Sequence, residues 1–180
     1  MPLRHATELA LSLALAVVLG MAVKLIQLPY GGSINLSPLP LLVLAFRHGA
    51  KLGCLAGGLY GVLDFILNPF FFHPLQVVLD YPVAFALLGM AGIGRNRGGD
   101  EGWMLRVRMA CGIVLGNALR LLAHFISGLF FFASFAPEGQ PVWIYSLTYN
   151  ASYLLPETII EILLIQCIAR ILQRSPDPIR

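Results

Sequence analysis

The sequence predicts an all-α membrane protein of six transmembrane helices with both termini cytoplasmic. Three observations carry that expectation. Hydrophobic residues make up 58% of the 180 residues and charged residues 12%, about half the charged share of a soluble domain. Apolar runs recur along the whole chain, separated by short connectors rich in proline, glycine or basic residues. Of the twelve lysines and arginines, ten fall in alternate connections: the amino terminus, the 47–51 turn, the 95–108 connector and the 170–180 tail. The positive-inside rule puts those connections in the cytoplasm. The chain is expected to form a single membrane domain, residues 1–180, in the plasma membrane.

The first run, roughly Leu9 to Ile26, is long enough to span a bilayer. It follows only Arg4 and His5, as a signal peptide would, but no clear small-residue cleavage site follows it, so it reads as a helix. Ala6, Ala10 and Ala14 recur every four positions and make a smooth stripe on one face. Pro29 to Ser37 carries turn residues and reads as a loop. The second run, Pro38 to Phe46, is too short to span unless it begins near Ile34. Arg47-His48-Gly49-Ala50-Lys51 is a tight basic turn.

The third run, Leu52 to Leu67, holds Asp64 and closes at Asn68-Pro69. Gly57, Gly58 and Gly61 lie inside it, where close helix packing explains them better than phosphate binding. Phe70-Phe71-Phe72-His73-Pro74 fits an aromatic interface belt. The fourth run, Leu75 to Ile93, carries Asp80-Tyr81-Pro82 near its start. Arg95 to Arg108 is the strongly polar connector. The fifth run, about Met109 to Phe135, is long and so expected to tilt. Ala136 to Pro141 is a loop, and the sixth run spans Ile144 to Leu172. Cys54, Cys111 and Cys167 stand singly, which offers neither a zinc site nor a disulfide framework; each reads as a small buried hydrophobe.

This topology sends the rare polar groups to one side. Asn35, Asp80, Tyr81, His124, Tyr145 and Asn150 all fall in the outer leaflet. Arg120 and His124 are four apart and share a helix face. Ionisable groups within a membrane face a protein interior or a watery cavity, and they mark functional sites by default. The set is one carboxylate, one imidazole, an amide and two phenols among phenylalanines. It suits an organic cation, with the carboxylate balancing charge and π-faces holding a ring. Arg120, one turn deeper than His124, could hold Asp80 ionised through a charge pair. Glu157 and Glu161, one turn apart and deeper, could partner Arg120 or line an ion path, and a bracing role is favoured. Asp64 reads more as an interfacial cap than as part of the set.

At these residues the sequence resembles a known family. Leu-Asp-Tyr at 79–81, His-Phe-Ile-Ser-Gly at 124–128 and Tyr-Ser-Leu-Thr-Tyr-Asn at 145–150 look like the thiamine-specific substrate-binding (S) component of energy-coupling factor (ECF) transporters. Thr7-Glu8-Leu9-Ala10 and Arg47-His48-Gly49 fit as well, so the resemblance covers nearly the whole chain. It implies high-affinity capture of thiamine (vitamin B1) from outside, for uptake. Asp80 takes the place of a glutamate that binds the aminopyrimidine ring, followed by Tyr81. His124, Tyr145 and Asn150 match binding residues, and Phe132 falls where the family has a stacking tryptophan. Ala10 and Ala14 match the surface that docks on the transmembrane (T) component. In two places the chain departs: Asn35 replaces a second glutamate, and Gly31 replaces a loop tryptophan. The implied ligand is thiamine, a phosphorylated form or a pyrimidine precursor.

The resemblance implies no cofactor and no chemistry in this chain, with ATP hydrolysis left to two ATPase subunits. No glycine-rich phosphate loop, catalytic motif, metal spacing or nucleic-acid feature argues otherwise. Two rival readings remain. A stand-alone secondary transporter could use Asp64, Glu157 and Glu161 for protons, and would be supported by internal repeats, of which none is convincing. A membrane enzyme using His124 and Asp80 would need a nucleophile, and no serine or cysteine is well placed.

Overall fold

The computed structural model describes residues 3–96 and 102–173. It contains six helical rods: α1 (Leu3–Ala22), α2 (Pro38–His48), α3 (Ala50–Leu67), α4 (Pro74–Gly94), α5 (Trp103–Phe131) and α6 (Val142–Gln173). Five of them, all but α2, are long and apolar enough to cross a membrane. With 11 residues, α2 rises only about 16 Å, short of a hydrocarbon core about 30 Å thick.

The stretch between α1 and α2 differs from the expectation. The first helix ends at Ala22, and Lys24–Gln27 (β1) pairs antiparallel with Ser33–Asn35 (β2). The fold is thus helical with one small β-ribbon, and α2 does not begin near Ile34. Lys-Leu-Ile-Gln continues the apolar run, and a short apolar stretch does not distinguish strand from helix. Two further boundaries move. Residues 103–108 belong to α5 rather than to a connector, and Ala133–Phe135 is a separate 3-10 turn after α5.

The rods pack through small residues. A β-carbon on Gly57 would stand 1.9 Å from the Phe85 carbonyl oxygen, and one on Gly61 would stand 2.4 Å from that of Tyr81. Only glycine lets α3 and α4 approach so closely. Leu41, Leu42, Leu88, Met109, Ile113 and Ile165 fill the core beside them. By contrast α1 buries only Ala16 and Gly20, and Ala6, Ala10 and Ala14 are exposed. Cys111 and Cys167 are also exposed and Cys54 is half-buried, so the first two are not the core residues expected. Both sit on outward faces of spanning helices.

The two ends of the bundle differ. At one end the Glu8 carboxylate accepts from Arg4 Nε (3.0 Å) and His48 Nε2 (2.7 Å) and pairs with Arg47 (3.2 Å). The Arg95 side chain lies against Gly49 at the same end. Three of the four basic connections therefore gather there; the tail from residue 174 lies outside the described residues. The β-ribbon, the 68–73 connector and the 132–135 turn meet at the other end, where Phe70 and Phe72 both contact Phe132.

Candidate functional site

At that second end the helices part around a cavity of about 520 Å³. Its position follows from a fault in α4. Pro82 has no N–H and its ring clashes with the preceding turn, so a regular helix cannot pass through it. The chain answers with a π-helical turn, Leu79–Val83, between two short α-helical segments. Such turns widen the helix locally. Asp80 and Tyr81 ride on this one and both line the cavity.

Three donors converge on the Asp80 carboxylate. His124 Nδ1 lies 3.0 Å from Oδ1, while Ser127 Oγ (2.9 Å) and Gln76 Nε2 (2.8 Å) donate to Oδ2. A carboxylate has about four acceptor sites, so one remains, on Oδ1. With Nδ1–H turned to Asp80, a neutral His124 offers Nε2 as an acceptor. That atom is buried and has no protein partner. The site therefore keeps one carboxylate acceptor position for a ligand, beside a buried imidazole nitrogen without a partner.

Asn35, Asp80, Tyr81, His124, Phe132, Tyr145 and Asn150 all line the cavity, but they differ in what they have left to offer. The Tyr81 hydroxyl donates to the Asn68 carbonyl (3.1 Å) and accepts from Phe70 N–H (2.9 Å). Asn150 donates to the Ser146 carbonyl (2.8 Å) and accepts from the Tyr153 hydroxyl (2.8 Å). Asn35 donates to Ser33 Oγ (3.0 Å) and accepts from Ser37 N–H (2.9 Å), bonds that shape its own turn. Phe132 and Tyr145 contribute faces. Phe132 lies nearly parallel to Phe70, with centroids 6.0 Å apart at 17°, and Tyr145 stacks on Tyr149.

Arg120 does not pair with Asp80. Its NH1 donates to Glu157 Oε2 at 2.7 Å, with the guanidinium 4.5 Å over the Phe85 ring. Glu157 Oε1 also accepts from Asn35 N–H (3.3 Å), which ties the β-ribbon to α6. One turn deeper, Asn117 Nδ2 donates to Glu161 Oε2 (2.6 Å). Glu157 thus holds the arginine, and Asp80 is left with dipolar donors and the imidazole.

Several residues of the site are not in the sequence-derived set: Gln76, Tyr149, Tyr153 and Asp64 line the cavity, and Ser127 supports Asp80 from behind it. Helical spacing points to four of them. Gln76 precedes Asp80 by one turn, Ser127 follows His124 by three residues, and Tyr145, Tyr149 and Tyr153 are four apart. The Tyr149 hydroxyl accepts from Gly32 N–H (3.0 Å) and donates to the Pro29 carbonyl, fastening the ribbon over the cavity. The Asp64 carboxylate accepts from Asn68 Nδ2 (3.1 Å), a bond between side chains one turn apart, while also lining the cavity. Phe70 lines it too, so the 70–73 connector is more than an interface belt. Gly31 sits beneath Phe70 at a φ of 103°, a conformation that disfavours side chains. Among the described residues no group of three or more His, Cys, Asp or Glu is placed to hold a metal ion.

Comparison with known proteins gives concordant matches. The family model described as "Thiamine transporter protein (Thia_YuaJ)" matches residues 6–175. The thiamine transporter ThiT of Bacillus subtilis (strain 168) is 40% identical over 165 residues, covering 85% of this chain and 83% of that protein. The thiamine transporter ThiT of Lacticaseibacillus paracasei is 31% identical over 172 residues, covering 88% and 86%. The solved structure of ThiT from Listeria monocytogenes superposes with a TM-score of 0.81 over 97% of this chain and 96% of that one, at 23% identity, and so shares the fold.

Proposed function

The chain belongs to the thiamine transporter protein family, and from that premise we propose that it is the thiamine-binding S component of an ECF-type transporter. It resides in the membrane, as its relatives' function and its apolar helices require. The observation that carries the ligand reading is the Asp80 carboxylate, steadied by three donors with one acceptor site open, in a cavity walled by Phe70, Phe132 and Tyr145. Thiamine joins an aminopyrimidine to a thiazolium cation. The pyrimidine amino group has an N–H donor for the open acceptor site on Asp80 Oδ1. The thiazolium ring is a flat cation suited to aromatic faces and to an anionic wall.

In this reading the cavity end faces outward and the Glu8–Arg47–His48 end faces the cytoplasm, as the positive-inside rule asks. The short α2 completes a sixth crossing together with the β-ribbon above it, and both termini are cytoplasmic. Residues 1–180 act as one domain. The chain captures ligand and has no nucleotide motif, so inward release falls to a T component and two ATPase subunits. Exposed Ala10 and Ala14 on the sparsely packed α1 suit close approach of a partner helix. The relatives are named as transporters, in keeping with binding rather than catalysis.

Calorimetric titration tests the reading on the detergent-solubilised chain alone. The expected result is saturable binding of thiamine without partner proteins or ATP. No heat with thiamine, its phosphates or its pyrimidine precursor would overturn it.

A further inference from the structure

Asp64 is the one cavity carboxylate whose placement the fold does not explain. It lies in the last turn of α3, Ala50–Leu67, where the carbonyl ends of the helix already concentrate negative charge. It is half-buried within a span, where an ionisable group is costly. One side-chain donor reaches it, Asn68 Nδ2 at 3.1 Å, and Asn68 turns its own oxygen to Lys24 Nζ at 3.2 Å. Asn68 thus stands between the lysine and the aspartate. A residue that breaks a local rule at a cavity wall is a candidate for function.

The hydrogen-bond inventory says which function. Three protein donors occupy Asp80, and the site it keeps suits a neutral amino N–H. A fixed cation elsewhere on the same ligand then needs a second counter-charge. Asn35, where the resembling family carries a second glutamate, brings no charge and spends both ends of its amide locally. Glu157, the other nearby carboxylate, is committed to Arg120. Asp64 is left.

We propose that Asp64 is the counter-charge for the ligand's thiazolium cation, and that it thereby disfavours phosphorylated forms. This rests on the thiamine reading above. Asp80 and Asp64 then divide the ligand: Asp80 reads the aminopyrimidine half, and Asp64 answers the charge of the other half. A phosphoryl group would bring negative charge toward Asp64, so the same carboxylate that favours thiamine opposes its monophosphate.

The test is a three-ligand titration of the purified wild-type chain, Asp64→Asn and Asp80→Asn. The ligands are thiamine, thiamine monophosphate and the neutral hydroxymethyl aminopyrimidine. Asp64→Asn keeps the Asn68 contact and the volume, and melting of the ligand-free protein checks its fold. For this variant thiamine is expected to bind about tenfold or more weakly, through the loss of the counter-charge. The neutral pyrimidine should bind unchanged, and the preference for thiamine over its monophosphate should shrink. Asp80→Asn should weaken all three ligands. Equal binding of thiamine by wild type and Asp64→Asn overturns the proposal, as does equal weakening of thiamine and the neutral pyrimidine. A wild-type chain that binds none of the three overturns the thiamine reading itself.

Discussion

Two polar clusters lie one turn apart on α5, and the protein completes them in opposite ways. Around Arg120 the charges are matched within the protein. The guanidinium pairs with Glu157, rests on Phe85, and sends its partner's other oxygen to the backbone of Asn35. Both side chains are nearly closed off, 5% and 1% exposed. Around His124 the arrangement is left unfinished. Asp80 has dipolar donors and an imidazole, one acceptor site open, and a cavity before it. A completed buried pair braces helices, because losing either partner strands a charge. An incomplete cluster facing space is ready for a ligand. Burial and polarity alone would not separate the two, but the pairing of charge does. Arg120 holds a carboxylate at 2.7 Å, with its Nε left unpartnered, while Asp80 is bonded by an amide, a hydroxyl and an imidazole.

The sharpest way to break this comparison is to strand the charge in the braced cluster. Arg120→Met removes the guanidinium and leaves Glu157 buried, at an expected cost of about 3–5 kcal/mol in stability. Thermal unfolding in detergent should show a large fall in melting temperature. A variant that melted like wild type but bound no thiamine would reverse the roles assigned to the two clusters.

Next comes the open cluster. Asp80→Asn keeps the shape, so the fold should survive while thiamine binding weakens by about 2–5 kcal/mol. The paired readout is melting temperature against dissociation constant. An equal loss in both would make Asp80 a second brace.

The aromatic wall is expected to matter less. Phe132→Leu keeps apolar volume but removes a π-face, and should weaken thiamine by about 1–2 kcal/mol. A neutral aliphatic ring of similar size should feel the change much less. If both ligands lost equally, the wall would be serving shape alone.

The smallest effect on binding is expected farthest from both clusters. Tryptophan at Ala10 and Ala14 together should leave thiamine affinity of the isolated chain unchanged. The two alanines are exposed on α1, which buries only Ala16 and Gly20. Uptake in cells should be lost, because the bulk lands where a partner helix would sit. Uptake kept would rule out this docking surface.

Much of this contrast was legible in the sequence, though not all of it. Hydropathy and basic connectors located the rods, and that topology put Asp80, His124, Tyr145 and Asn150 at one end. The helix-period signal is strong in apolar runs and only the termini shifted. The partners of the charges were less legible. For Arg120 the sequence left two partners open, Asp80 and the Glu157–Glu161 pair. Its true partner, Glu157, is set by how α5 and α6 face one another, which periodicity within one helix does not encode. The π-helical turn was hidden as well, since Pro82 signals a disturbance but not how it is absorbed. The ribbon escaped because Lys24 to Gln27 prolongs an apolar run. Asp64 read as a cap, yet its carboxylate bonds only the Asn68 side chain, and only the packed bundle puts it on the cavity wall.

The central claim is that the open acceptor site on Asp80 Oδ1 recognises the amino group of the pyrimidine. The most direct measurement changes the ligand and leaves the protein untouched. Wild-type protein is titrated with thiamine and with an analogue carrying hydrogen in place of that amino group, so no question of folding arises. The analogue leaves the Asp80 acceptor site without a donor, at a cost of about 1–3 kcal/mol. The account predicts about tenfold weaker binding of the analogue; equal affinity for the two ligands would contradict it.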